Sequence, residues 1–393
     1  MSAALRNIRL LAWFNFCNDF RIYAPVMVVY FARVTGSYAD AVLILAIAKI
    51  SSSLFELPTG VLSDKVGRRV TMLSGQVANI ACIAAYAAGG SFAVLAIGAV
   101  IEGLSFSLFS GNQDAFLYDT LKDAKSEVQF PEHQGRLSSM FQFALATSAL
   151  AAAVLLVWVP FETLFWISLI PQALGLAIGW LTTEPSRHGR EVETNVLAHL
   201  REALAGFRRE KKLRDLSVAS MLGFALGEAK HMFYPAYFAT LWSPSGLGIA
   251  SLMTHAFAAV GFRAAGRIIG RFRELTVLVW ANVVSVAFGV TNTAVPTVAS
   301  PAIASLSSFA FGPSVVAQGS LMQQAFTDRQ RATMGSLVSF GGNVLYAVVV
   351  FALGWFADRF GPQYTLLTAE ILTISVTLMY WRLFRGEARP NVT

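Results

Sequence analysis

Titratable side chains interrupt some of the most apolar stretches of this chain: Asp19 and Arg21, Lys49 and Glu56, Glu102, then Glu228, Lys230 and His231, and His255. A carboxylate removed from water is a natural proton carrier. Arginine and lysine hold anions through charge-assisted hydrogen bonds. Such a set could bind a charged solute and carry protons with it. The chemistry of covalent catalysis is missing: no G-x-S-x-G, H-E-x-x-H or phosphate-binding G-x-x-x-x-G-K-[ST] motif occurs. Cys17 and Cys82 stand apart from any Cys/His cluster and read as packing residues. The sequence calls for no enzyme, no metal and no cofactor.

The elements that position these charges must live in lipid. Apolar residues make up 55% of the 393 residues and charged residues 13%, about half the charged share of a soluble domain. Apolar runs long enough to cross a bilayer as helices fall at 9–32, 38–62, 70–89, 92–119, 137–159, 162–182, 215–240, 246–268, 275–294, 297–325, 333–356 and 363–384. The expected fold is all-α, with about twelve membrane helices. A charge at the bilayer centre costs about 2.5–3.5 kcal/mol even on a lenient scale, so the intramembrane set marks a path through the protein. The opposing reading is a network of structural ion pairs. Arg6 and Arg9 before an apolar stretch resemble a signal peptide, but Asn18, Asp19 and Arg21 interrupt it, and the segment reads as a retained first span.

Basic residues fix the orientation. The even-numbered connections carry Lys65, Arg68 and Arg69; Lys122, Lys125 and Arg136; Arg187 to Arg214; Arg263 to Arg273; and Arg329 with Arg331. The C-terminal tail adds Arg385 and Arg389, while the odd connections hold little beyond Arg33 and Arg359. By the positive-inside asymmetry both termini are cytoplasmic. The formal charge of +7 is thereby topology, not a nucleic-acid surface.

The connection 183–214 is the long one. Leu197, Leu200, Leu204 and Phe207 recur there at helical spacing beside Arg201, Arg208, Lys211 and Lys212. It reads either as an amphipathic helix on the anionic leaflet or as a solvated linker helix. It divides residues 1–182 from 215–393, two bundles of six helices each. The halves echo one another: Asn18-Asp19-Phe20-Arg21 precedes Pro25, and Gly227-Glu228-Ala229-Lys230 precedes Pro235; Lys49 and His255 each lie eleven residues before a glycine, Gly60 and Gly266. Helical geometry puts Asp19 and Arg21 on nearly opposite faces. It likewise separates Glu228 from Lys230 and keeps Glu228 with His231.

After the second span the sequence reads Gly60-Val61-Leu62-Ser63-Asp64-Lys65-Val66-Gly67-Arg68-Arg69. This resembles the G-x-L-x-D-x-x-G-R-[KR] loop of the major facilitator superfamily, matching at Gly60, Leu62, Asp64, Gly67, Arg68 and Arg69. The glycines suit tight packing and a sharp turn, and Asp64 suits a helix N-terminus or an arginine. The helix ends Asp114–Leu121, which includes Asp119, and Phe326–Thr333 also resemble the superfamily. The matching loop of the second half, Gly266-Arg267-Ile268-Ile269-Gly270-Arg271, lacks an acid at the position of Asp64, and Gly354, Asp358 and Gly361 echo the loop on the outer side.

The resemblance implies a monomeric secondary transporter of the inner or plasma membrane working by alternating access, with a latch at Gly60, Asp64, Gly67, Arg68, Arg69 and Asp119. It places Asp19, Arg21, Lys49, Glu56, Glu102, Glu228, Lys230, His231 and His255 around the central path. Cations beside carboxylates suit an anionic or zwitterionic solute, such as a carboxylate metabolite or a siderophore. The implied coupling ion is a proton, with Glu228 its first candidate carrier and Asp19 its second. A drug/proton antiporter and a lipid flippase are the alternatives on this fold. The fifth span, with Phe141 to Leu150 free of Gly and Pro, lacks the signature such drug exporters usually carry.

Overall fold

A computed structural model describes residues 3–186, 211–325 and 331–387. The regular structure among these residues is entirely helical. The first half holds α1a (Ala3–Asp19), α1b (Met27–Thr35), α2 (Tyr38–Val66), α3 (Arg68–Ala88), α4a (Phe92–Phe109), α4b (Asn112–Asp123), α5 (Phe130–Leu155) and α6 (Phe161–Trp180). The second holds α7 (Lys211–Phe238), α8 (Pro244–Arg271), α9 (Glu274–Ala294), α10a (Ser300–Ser307), α10b (Phe311–Ala325) and the run Arg331–Glu387. Gly361, at φ +82, divides that run into α11 (331–360) and α12 (362–387). Its left-handed backbone makes the turn at no steric cost.

Among the described residues nine helical stretches are long and apolar enough to cross a membrane, one of them the 49-residue stretch that Gly361 splits in two. With that stretch counted as two, the charged α7 and the broken α1 are consistent with the expected twelve. Large apolar side chains stand exposed along them, including Ile97, Ile170, Trp280 and Val348. In water such faces would be a liability; in lipid they are the solvent-facing surface.

Contacts divide the chain into two compact units, Met1–Arg190 with Ser243–Leu252, and Glu191–Trp242 with Met253–Thr393. Each has its own core. Leu11, Phe14, Met72, Phe109, Phe116 and Leu117 pack together in the first; Leu216, Leu226, Leu278, Val376 and Tyr380 pack together in the second. The amphipathic pattern from Leu197 to Phe207 and the motif residues Phe326 to Gln330 lie outside the described residues.

The expected continuous first helix is corrected. α1a ends at Asp19, and the chain re-forms as a 3-10 turn at Ala24–Val26 before α1b. Pro25 explains the break: it has no N–H for a bond to the Arg21 carbonyl, and its ring crowds that carbonyl in a helix. The freed groups find other partners, Arg21 N–H donating to Asp19 O at 2.9 Å and Ile22 N–H to the Ser168 hydroxyl at 3.2 Å. The opposite-face relation expected for Asp19 and Arg21 presumed an unbroken helix, so it no longer applies. In α7 the matching Pro235 is accommodated inside a continuous helix, so the echo between the halves does not extend to a break.

Candidate functional site

The break in α1 delivers Arg21 to a built environment in the first unit. Gly98, Glu102 and Phe106 recur every four residues along one stripe of α4a. Gly98 leaves room for the ring of Tyr86 from α3; a Cβ there would stand 2.8 Å from Tyr86 Cε1. The Tyr86 hydroxyl then donates to Glu102 Oε2 at 2.6 Å. Arg21 Nη1 lies 3.8 Å from Glu102 Oε1, and the guanidinium stands over the Phe106 ring, 5.1 Å from its centroid. Arg21 Nε donates to Asn18 O at 3.3 Å.

A ladder of buried amides holds the end of α1a. Asn79 Nδ2 donates to Asn18 Oδ1 and Gln172 Oε1, both at 2.9 Å. Gln172 Nε2 donates to the carbonyls of Cys17 at 3.0 Å and Asn18 at 3.3 Å. Gln76 Nε2 donates to Gln172 Oε1 at 2.9 Å. Carbonyls that the broken helix leaves without a following turn are thereby satisfied by side chains of α3 and α6. Asp19 Oδ1 accepts from Asn18 Nδ2 at 3.3 Å.

The second unit contains a tighter centre. Lys230 Nζ lies 2.9 Å from Glu370 Oε2, and the Tyr234 hydroxyl donates to Glu370 Oε1 at 3.0 Å. The side chains of Lys230 and Glu370 are 8% and 1% exposed, so this pair is closed to solvent. Gly289 of α9 makes the space, because a Cβ there would collide with the Glu370 carboxylate. Ala225, Leu226, Ala229, Lys230 and Phe233 form the buried face of α7, while His231 is exposed and Glu228 half-buried. The separation of Glu228 from Lys230 that helical spacing required is what the structure has.

The remaining residues are more dispersed. Lys49 is half-buried in α2, and the Ser53 hydroxyl donates to its carbonyl at 3.2 Å. Glu56 is exposed and accepts from Ser110 Oγ at 3.5 Å. His255 is half-buried in α8.

Between α2 and α3, Gly67 at φ +108 makes the sharp turn expected of it. Arg68 Nη1 reaches Asp64 Oδ1 at 3.0 Å and Ser63 Oγ at 2.8 Å, and its Nε lies 3.7 Å from Asp119 Oδ2. Asp64 thus meets the arginine. The helix N-terminus is taken by Glu184, which accepts from the backbone N–H of Arg68 at 2.6 Å and of Arg69 at 2.8 Å. A carboxylate on those two orphan donors also complements the α3 dipole. Arg69 Nη2 donates to Trp180 O at 2.7 Å. The tight packing expected at Gly60 is corrected: its position is exposed, and a Cβ there would meet nothing within 4 Å among the described residues.

The model of the Major Facilitator Superfamily matches residues 10–344. The chain belongs to the major facilitator superfamily. It is therefore a transporter of small solutes and not an enzyme. Its fold is shared with solved transporters at low identity. The nucleoside transporter NupG is 14% identical with a TM-score of 0.77, covering 98% of this chain and 100% of its own. A bacterial homologue of the human lysosomal transporter Spinster, in an inward-facing and unoccupied conformation, is 14% identical with a TM-score of 0.78 and full coverage of both chains. A D-xylose–proton symporter is 14% identical with a TM-score of 0.71, covering 97% of each. No curated protein sequence matches the chain.

Several residues of this facilitator's polar centres escaped the sequence reading: Tyr86, Tyr234, Glu184 and Glu370, with the amides Gln76, Asn79 and Gln172. Glu370 carried the signal that singled out Glu102, a lone acid inside an apolar span. The amides and tyrosines carry no charge, and hydropathy alone does not single them out.

Proposed function

We propose that this facilitator moves a small acidic or zwitterionic solute by alternating access, coupled to protons, with Arg21 as the anchor for the solute's negative group. The observation that supports this reading is the contrast between two intramembrane cations, Lys230, which is buried, and Arg21, which is half-buried. Lys230 is spent on Glu370 at 2.9 Å. Arg21 is 3.8 Å from its carboxylate, its side chain is 16% exposed, and among the described residues only its Nε makes a hydrogen bond. A planar guanidinium with its terminal nitrogens unspent matches a carboxylate or a similar planar anion. Lys49 and His255 are assigned to the path on the strength of the sequence pattern, with Glu228 and His231 on the open face of α7. Glu228 is the proposed proton carrier, one turn from His231. That a transporter of the same fold is a proton symporter supports the coupling.

A thermal-shift screen of purified protein against a metabolite library tests the substrate class. A ligand that binds the folded state raises the melting temperature by mass action. The stabilising compounds are expected to be acids or zwitterions, and their effect is expected to vanish in Arg21→Gln. Neutral or cationic hits that stabilise wild type and Arg21→Gln alike would overturn the reading.

The domain assignment proposed is a six-helix bundle at 1–182, a linker at 183–214 and a second bundle at 215–393, in an inner or plasma membrane with both ends cytoplasmic. Reporter fusions at Ser2 and Thr393 are expected to report the same, cytoplasmic side. Opposite sides would contradict the even number of spans.

Asp64, Arg68 and Asp119 are proposed to act as a latch that weights the conformations of the transport cycle. Asp64→Asn is expected to slow transport while leaving melting temperature close to wild type, because Asp64 is exposed and such ion pairs contribute about 0–1 kcal/mol to stability. Arg68→Ala, which also takes a partner from the more buried Asp119, is expected to slow transport too. Wild-type transport by both variants would remove the latch from the account.

A further inference from the structure

We infer that Glu102 is a resident anion that competes with the transported acid for Arg21, and that Tyr86 sets how strongly it competes. The inference rests on the proposal that Arg21 anchors an acidic solute, and it adds the element that would let the solute leave again.

The geometry divides the Glu102 carboxylate between two partners. Oε2 is held by the Tyr86 hydroxyl at 2.6 Å, a short hydrogen bond to a charged acceptor. Oε1 faces Arg21 Nη1 at 3.8 Å, too far for a hydrogen bond. Glu102 is thus held back from full engagement of the guanidinium by a tyrosine that Gly98 admits and burial keeps in place. The arginine is anchored independently, through its Nε to Asn18 O and by the Phe106 face. An incoming carboxylate can take the terminal nitrogens without moving either anchor. Glu102, still bonded to Tyr86, does not become an unpartnered buried charge when displaced. When the solute leaves, Glu102 again neutralises Arg21. Glu370 of the second unit is divided likewise, Oε1 to Tyr234 and Oε2 to Lys230, but there the cation is held at the hydrogen-bond distance of 2.9 Å and both charges are closed off.

The two substitutions have opposite expected signs. Glu102→Gln removes this competitor and leaves Asp19 as the remaining carboxylate that interacts with Arg21. Tyr86→Phe releases Oε2, allowing both carboxylate oxygens to turn to Arg21. Phenylglyoxal modification of Arg21, read by peptide mass spectrometry in the intact reconstituted protein, reports the freedom of the guanidinium. Arg33, whose guanidinium lies 4.2 Å from the Phe161 centroid, serves as the internal reference for a retained fold. Relative to Arg33, labelling of Arg21 is expected to be roughly five-fold faster in Glu102→Gln and slower in Tyr86→Phe. Benzoate should protect Arg21 at lower concentration in Glu102→Gln than in wild type, and neutral benzamide should protect in neither. Unchanged labelling in both variants, or equal protection by benzoate, would overturn the inference. If labelling shifts as expected but Arg21→Gln keeps its acidic ligands in the thermal-shift screen, Glu102 restrains Arg21 and the proposed substrate class is what fails.

Discussion

Glu228→Gln protein reconstituted in liposomes is expected to exchange its solute at equal pH but to lose accumulation driven by a pH gradient. Glutamine keeps the shape and hydrogen bonding of the side chain and cannot ionise. If Glu228 carries the coupled proton, its loss uncouples the cycle without removing the solute's anchor, which lies in the other unit. Placement on α7 supports the choice: Glu228 is half-buried on the face that also exposes His231, opposite the face that packs. Continued accumulation against the gradient by the glutamine variant would exclude Glu228 as the carrier. Accumulation by wild type that survives collapse of the proton gradient would exclude protons altogether, leaving sodium coupling or facilitated diffusion.

Breaking the Lys230–Glu370 pair is expected to be the most damaging single change to stability. Removing one partner of a buried ion pair strands the other charge and costs about 3–5 kcal/mol. Lys230→Met and Glu370→Leu should each lower the melting temperature sharply and reduce the yield of folded protein. The double variant Lys230→Met/Glu370→Leu should recover most of the loss, because apolar residues of similar volume replace such pairs at little net cost. Tyr234 limits the recovery, since its hydroxyl then loses its acceptor Glu370. Measured melting temperatures in one detergent decide the matter. Two harmless single variants, or a double variant as poor as either single one, would contradict the assignment of this pair to packing.

The pair also shows where sequence reading reached and where it stopped. Lys230 was legible as an unusual charge in an apolar span, and helical spacing alone separated it from Glu228. Its partner lies 140 residues away, and no local pattern joins a lysine of α7 to an acid of α12. The space between them depends on Gly289 of a third helix. Arg68 and Asp64 were legible because they lie four residues apart across the turn at Gly67, a separation that local geometry fixes. Glu184, which caps α3 from the end of α6, was not, since the contact spans more than a hundred residues. The all-helical membrane fold could be read because lipid imposes length and hydropathy on most of the helices independently, and the superfamily because the motif from Gly60 to Arg69 is local. The break in α1 was half legible: Pro25 was visible as a helix breaker, but Pro235 is a proline in the same setting that α7 absorbs. What decides between them is the receiving structure, here Ser168 and Gln172 of α6 with Asn79 of α3, which satisfy the opened backbone and the Asn18 side chain.

The most direct test of the account is solute exchange by Arg21→Gln at equal internal and external pH, using an acid identified by the thermal-shift screen. Loss of a charge-assisted contact to the solute is expected to cost about 1.5–3 kcal/mol, or about 10- to 150-fold in apparent affinity. Exchange at low solute concentration should therefore fall to near background in Arg21→Gln while Glu228→Gln exchanges like wild type. Exchange by Arg21→Gln at the wild-type rate and apparent affinity would contradict the claim that the broken first helix presents the solute's anchor.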